Sequence, residues 1–252
     1  MMVIAVCNNK GGAGKTASTR HLAGCMAATG RKVAVMDLDG QANLTDSLLG
    51  VRRGERPTPN MADVLAQKAT LDVVSHWASR PGVWVYPSDG ALDDAADDLV
   101  TAPLGVLRLK AAIERHRNSA EVLLIDCPPN VGALTFSALI ASDYVIIPTA
   151  PAPWSINGVF RIREKIGEVK AALGKGPEVI GVIATQVRST VEHSECLAQL
   201  SEGNMPLLLG AIPYRGGVDA DRALAEAYAP IVETVLPLIE RPGQRQTEGS
   251  HE

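Results

Sequence analysis

Lys10-Gly11-Gly12-Ala13-Gly14-Lys15-Thr16 comes two residues after the apolar run Val3–Cys7, and no other segment restricts the fold so tightly. Glycines let successive backbone N–H groups turn inward toward phosphate oxygens. A lysine supplies charge for the terminal phosphates, and a Ser/Thr hydroxyl suits Mg²⁺. Gly11, Gly12 and Gly14, Lys15 and Thr16 meet these needs in turn. The loop needs a strand to deliver it and a helix whose N-terminal dipole faces the anion. Val3–Cys7 reads as that strand, and Lys15–Thr29, closed by Gly30, as that helix. The usual pattern wants Gly where this chain has Asn9. A second lysine, Lys10, stands at the loop entrance instead and suggests a further positive charge for a transition state.

A strand–loop–helix opening predicts an α/β fold, and the rest of the chain agrees. Apolar runs recur at Val33–Met36, Val83–Tyr86, Val122–Ile125, Tyr144–Pro148, Val179–Thr185 and Leu207–Ile212. Most lack polar alternation, as strands covered on both faces do. Helices are expected between them at Met61–Gln67, Leu104–Arg117, Ala133–Ala141, Val159–Leu173, Val191–Leu200 and Ala220–Ala227. The pattern predicts a P-loop NTPase (Rossmann-like) fold, a mostly parallel twisted sheet of about seven to eight strands with helices on both faces. One domain is expected over residues 1–240, followed by a polar, disordered tail at 241–252. Gly50–Pro59 reads as a surface loop, and the five Asp within Asp89–Asp98 as a solvated acidic face.

Composition narrows the function. With two Phe, four Tyr and three Trp in 252 residues, the core must be aliphatic. The formal net charge of −4 sets up no global positive field, so any nucleic-acid contact needs a local patch. Cys7, Cys25, Cys127 and Cys196 show no Cys-x-x-Cys spacing and no histidine joins them, so buried reduced thiols are expected. No signal-like N-terminus and no 18-residue apolar run occur, so a cytoplasmic protein is expected.

The motifs together resemble the ParA/MinD family of deviant Walker-type P-loop ATPases, specifically its ParA (plasmid or chromosome partition, or cargo-positioning) branch. The matching segments are Asn8–Thr16, Val35-Met36-Asp37-Leu38-Asp39-Gly40-Gln41-Ala42-Asn43-Leu44-Thr45, Leu123-Leu124-Ile125-Asp126-Cys127-Pro128-Pro129 and Ala141–Pro148. The family usually has Pro at Gly40 and Val at Ala13. The resemblance implies ATP or ADP with Mg²⁺ in a loop of Lys10, Gly11, Gly12, Ala13, Gly14, Lys15, Thr16 and Ala17. It implies that Lys10 reaches a partner subunit's phosphates across a nucleotide-sandwich homodimer. Lys15 then holds the β/γ-phosphates, Thr16 binds Mg²⁺, Asp39 places the attacking water, Asp37 sits near the metal, and Asp126 holds it through water. An Asp after each apolar run also lies at a strand's C-terminal end, the ligand edge of an open α/β sheet. The adenine is expected between the loops after the last two strands, at Gln186 and Pro213.

Three functions fit such a chain. A ParA-type ATPase binds non-specific double-stranded DNA as an ATP dimer on the nucleoid, and a ParB-like activator triggers hydrolysis. Its basic contacts fall at Arg188, Arg215 and Arg222, with a local excess of three positive charges over Arg161–Lys175. A MinD-like membrane ATPase needs a basic amphipathic C-terminus, whereas Ile231–Glu240 carries acidic charges and Pro237 interrupts it. An amidoligase or an iron–sulfur relative is the third, and no convincing cysteine pair for a cluster emerges. The partition reading is preferred. With the first strand starting at residue 3, no N-terminal helix-turn-helix is expected, nor sequence-specific operator binding.

Overall fold

The computed structural model describes residues 1–240 apart from positions 80, 118, 153–154, 202–204 and 217–219; the expected tail at 241–252 lies outside the described residues. The elements run β1 (Met2–Val6), α1 (Lys15–Ala28), β2 (Val33–Asp37), α2 (Asn43–Leu49), α3 (Met61–Leu65), α4 (Leu71–Val74), β3 (His76–Trp77), β4 (Val83–Tyr86), α5 (Ala91–Thr101) and α6 (Arg108–Glu114). The second half continues β5 (Val122–Asp126), α7 (Ala133–Ala141), β6 (Tyr144–Thr149), α8 (Ser155–Leu173), β7 (Glu178–Val187), α9 (Val191–Ser201), β8 (Leu208–Pro213) and α10 (Ala220–Glu240).

Eight strands form one sheet in the order β3-β4-β2-β5-β1-β6-β7-β8. All pairs are parallel except the short β3–β4 edge. Because strand side chains alternate, β1 sends Val3 and Ala5 to one face, with Cys7 just beyond it, and Ile4 and Val6 to the other. The first face is covered by α3 through α9, the second by α1, α2 and α10. Both layers are aliphatic, which is why the runs read as continuous rather than alternating. Cys7, Cys127 and Cys196 are buried and Cys25 half-buried, all unbridged.

The seven expected strands form, and the eighth, β3, is only two residues long. The acidic run folds as α5, which buries Leu92, Ala95 and Leu99 and turns its aspartates to solvent. The helix expected over Leu104–Arg117 is broken at its start: Leu104 has φ 56°, a 3₁₀ turn follows at Gly105–Leu107, and α6 begins at Arg108.

The C-terminal segment corrects another expectation. Pro237 does not interrupt it; α10 runs through both Pro230 and Pro237. Tyr228, Ile231, Val232 and Val235 are each at most 2% exposed, packed with α1 and β8 in the second core layer. Burying four such side chains contributes about 1.5–3 kcal/mol apiece, against ~3 kcal/mol for each of the two prolines in the helix interior. Packing wins. Among the described residues, no helix is long and apolar enough to cross a membrane.

Candidate nucleotide and magnesium site

Strands β1, β2 and β5 end side by side, with Val6 and Asp37 both in register with Asp126. The loop leaving β1 therefore arches over two carboxylates before entering α1. Gly12 (φ 72°) and Gly14 (φ 81°) hold the left-handed conformations that the turn requires. A Cβ on Gly14 would also lie 3.0 Å from the Thr185 side chain.

Three strands hold the loop. Asn8, buried, donates to Pro148 O at 2.7 Å and Thr149 Oγ1 at 2.8 Å, while its Oδ1 accepts from Lys10 N at 3.2 Å. From β7, the Thr185 hydroxyl donates to Ala13 O at 2.9 Å and the Gln186 amide to Gly12 O at 2.6 Å. Lys15 is only 7% exposed, and its ammonium lies 3.1 Å from Lys10 O. That carbonyl orients the lysine across the loop toward the place where phosphate oxygens would collect.

Beneath the loop sit the acids. Asp126 is fully buried, and among the described residues neither of its oxygens has a hydrogen-bond partner. Burial and the neighbouring Asp37 push its carboxyl well above the ordinary range, partly offset by the nearby Thr16 hydroxyl and Lys15. Asp37 is buried too, but accepts from Asp39 N, Thr45 N and Thr45 Oγ1 at 3.1, 2.9 and 2.8 Å. Burial raises it to about 6, against those hydrogen bonds. A buried carboxylate with two orphaned oxygens, next to a second acid and a threonine hydroxyl, suits a divalent cation and its waters.

Above the acids lies a cavity of about 350 Å³ lined by Gly11 through Ala17, with Asp39, Gln41, Asn43, Pro129 and Gln186. A cleft of about 370 Å³ between the α3–α4 turn and α6 is larger, but it lies away from the glycine loop and the paired acids. Chemistry, not volume, selects the smaller one.

The structure brings together the loop, Lys15, Thr16, Asp37, Asp39 and Asp126, and places the remaining candidates around them. Lys10 is half-buried at the loop edge and does not line the cavity. Gln186 lines it, yet its amide is engaged by Gly12. Pro213 ends β8 in register with Val187, outside the cavity lining. Arg188 and Arg215 are exposed beside Tyr214, with the Arg188 guanidinium 4.2 Å above that ring. Arg222, 86% exposed on α10, pairs with Glu226 at 3.1 Å. Such an exposed pair is weak, so phosphate could compete for the arginine.

Some contributors escaped the sequence reading. Gln41, Asn43 and Pro129 line the cavity, and their nearness in sequence to Asp39 and Asp126 was the available signal. Thr185, in the loop expected to border the adenine, gave no sign of its bond to Ala13, which depends on where β7 lies. A Cβ on Gly40 would sit 2.8 Å from Asp93 Oδ1, the end of an exposed side chain on α5 that can swing aside. Cys127 sits beside Cys7, and that contact and burial push its thiol well above the ordinary range, as for an unreactive buried thiol.

A family model described as an AAA domain matches residues 1–176. The sporulation initiation inhibitor protein Soj of Bacillus subtilis is 31% identical over 185 residues, 73% of this chain and 72% of Soj. The chromosome partitioning protein ParA of Caulobacter vibrioides is 31% identical over 201 residues, 79% of this chain and 74% of that protein. Cobyrinic acid a,c-diamide synthase from Mycobacterium smegmatis, solved with bound ATP analogue and magnesium, superposes with a TM-score of 0.86. Its identity is 26%, covering 95% of this chain and 96% of the other.

Proposed function

The chain belongs to the ParA/MinD family of P-loop ATPases, and from that premise we propose that ATP binding joins two copies into a sandwich that holds DNA until an activator triggers hydrolysis. The job is partition of DNA, the role named in the chromosome-partitioning relative, or positioning of a cargo. One observation carries the site assignment: the buried, orphaned carboxylate of Asp126 lies beside Thr16 and Lys15 of the glycine loop.

In this reading the backbone amides of Gly11 through Thr16 cradle the phosphates, and Lys15 neutralises the β/γ oxygens. Thr16, Asp37 and Asp126 would hold Mg²⁺, which when bound offsets charge on the phosphate oxygens. Asp39, whose Oδ1 accepts from Gln41 N at 3.0 Å, faces the cavity and orients the attacking water. Lys10, at the loop edge, reaches the partner's nucleotide. Basal turnover is slow, because no arginine finger occurs in the loop motif and an activator completes the charge stabilisation. Lys10→Ala should bind nucleotide almost normally yet form no ATP-dependent dimers in light scattering; normal dimers would end the sandwich assignment.

Arg188, Arg215 and Arg222 make phosphate contacts without reading bases, so DNA retention should fall steeply with salt. The decisive measurement is a gel shift with ATP, ADP or no nucleotide at two salt concentrations. ATP-dependent, salt-sensitive retention supports partition, and ATP-dependent liposome binding would support the MinD-like reading. The apolar side of α10 is already occupied by α1 and β8, which argues against the latter. The M. smegmatis synthase keeps an amidoligase reading in view; it predicts no DNA retention under any nucleotide condition. Arg188→Glu should weaken retention several-fold without changing ATP affinity, since its guanidinium stands exposed over Tyr214. An unchanged shift would place the DNA surface elsewhere.

A further inference from the structure

Arg56 lies in the segment between α2 and α3 that reads in sequence as a surface loop, yet its side chain is only 7% exposed. Its Nε and an Nη reach the two oxygens of Asp46, each at 2.7 Å, and the same terminal nitrogen donates to Gln41 O at 2.7 Å. One planar guanidinium thus ties the first turn of α2 to the turn that follows β2. A lysine could serve one of these partners but not the whole fork.

The bridged turn is the one that carries Asp39. Residue 41 is held on both sides, its carbonyl by Arg56 and its N–H by the Asp39 carboxylate at 3.0 Å. Ala42 follows with φ 56° and donates its N–H to Asp39 O at 2.8 Å. An alanine keeps a left-handed conformation only where its surroundings impose it. Arg56 spans this residue, with Gln41 before it and Asp46 four residues after. On the other flank, the Ser88 hydroxyl donates to Asp39 O at 2.8 Å. Asp39 and Gln41 both line the nucleotide cavity, whereas Arg56 does not.

We propose that Arg56 is a positioning residue for ATP hydrolysis: it locks the Gly40–Ala42 turn so that the Asp39 carboxylate points at the attacking water. The inference rests on the assignment of Asp39 made above. Arg56 stands outside the cavity lining, so its loss loosens the aim of Asp39 rather than the grip on phosphate.

The test is a double-mutant cycle on ATP turnover by the full chain, with ADP affinity and melting temperature measured alongside. Arg56→Ala should lower kcat about tenfold while KM and ADP affinity stay within about twofold of wild type. Arg56→Lys should fall in between. In an Asp39→Ala background, Arg56→Ala should cost less than about twofold more, because the carboxylate it positions is gone. If Arg56→Ala fails to fold, Arg56→Lys carries the same cycle. An unchanged kcat overturns the proposal. So does a full, additive loss in the Asp39→Ala background, or a defect confined to KM and melting temperature. Asp39→Ala turning over at the wild-type rate would instead remove the carboxylate's own role, and the Arg56 link with it.

Discussion

Lys15→Ala should yield a folded protein that takes up no ATP measurable by calorimetry. Lys15 is 7% exposed, and the hydrogen bond from its ammonium to Lys10 O, at 3.1 Å, belongs to the loop. Removing it leaves the two core layers untouched, so circular dichroism should stay close to wild type, while loss of the charge that offsets the buried Asp126 should lower the melting point somewhat. What is lost is charge-assisted bonding to the β/γ-phosphates. Two such bonds at about 1.5–3 kcal/mol each correspond to ~10²–10⁴ in affinity. The loop amides remain, but they lack the full charge that draws a triphosphate out of water. ATP affinity within about tenfold of wild type would show that Lys15 does not grip the phosphates.

Asp126→Asn should do two opposite things. Turnover with Mg²⁺ should fall on the order of a hundredfold or more, because a neutral amide cannot hold the cation's charge. The metal-free variant should nevertheless melt higher than wild type. Asp126 is fully buried, neither oxygen has a partner, and Asp37 stands beside it in register. An unpaired buried carboxylate costs folding free energy, and its removal relieves that cost. Relief of about 1–3 kcal/mol raises the melting point of a chain this size by ~3–10 °C. A saturating supply of Mg²⁺ and ATP should narrow the gap by stabilising the wild type more than the variant, which keeps the phosphate loop but loses a metal contact. A variant that melts lower and still hydrolyses ATP would make Asp126 a structural acid. Sites that bind charge are commonly destabilised in this way without their ligand.

Much of this site was legible along the chain because its parts are local. The phosphate loop needs glycines at fixed offsets, and Gly12 and Gly14 do carry the positive φ angles that the pattern implied. Asp37 and Asp126 were readable as strand-end acids because an apolar run ends at each. Less legible were elements whose character depends on packing. Ala220–Glu240 contains two prolines, which argue for a break in any isolated peptide, yet the layer formed with α1 and β8 outweighs them. The acidic α5 looked like surface and is half core, because Leu92, Ala95 and Leu99 recur at helical spacing among the aspartates.

The sequence by itself determined the phosphate loop, the strand-end acids and the alternation that makes an α/β sheet, since each depends on neighbours within a few residues. Tertiary structure alone decided that Thr185 and Gln186 clamp the loop, that Asp126 ends without a partner, and that Arg56 turns inward to brace the Asp39 turn. These contacts join residues 10 to more than 170 positions apart, and which partners meet depends on strand order and loop path. Local propensity carries no information about either.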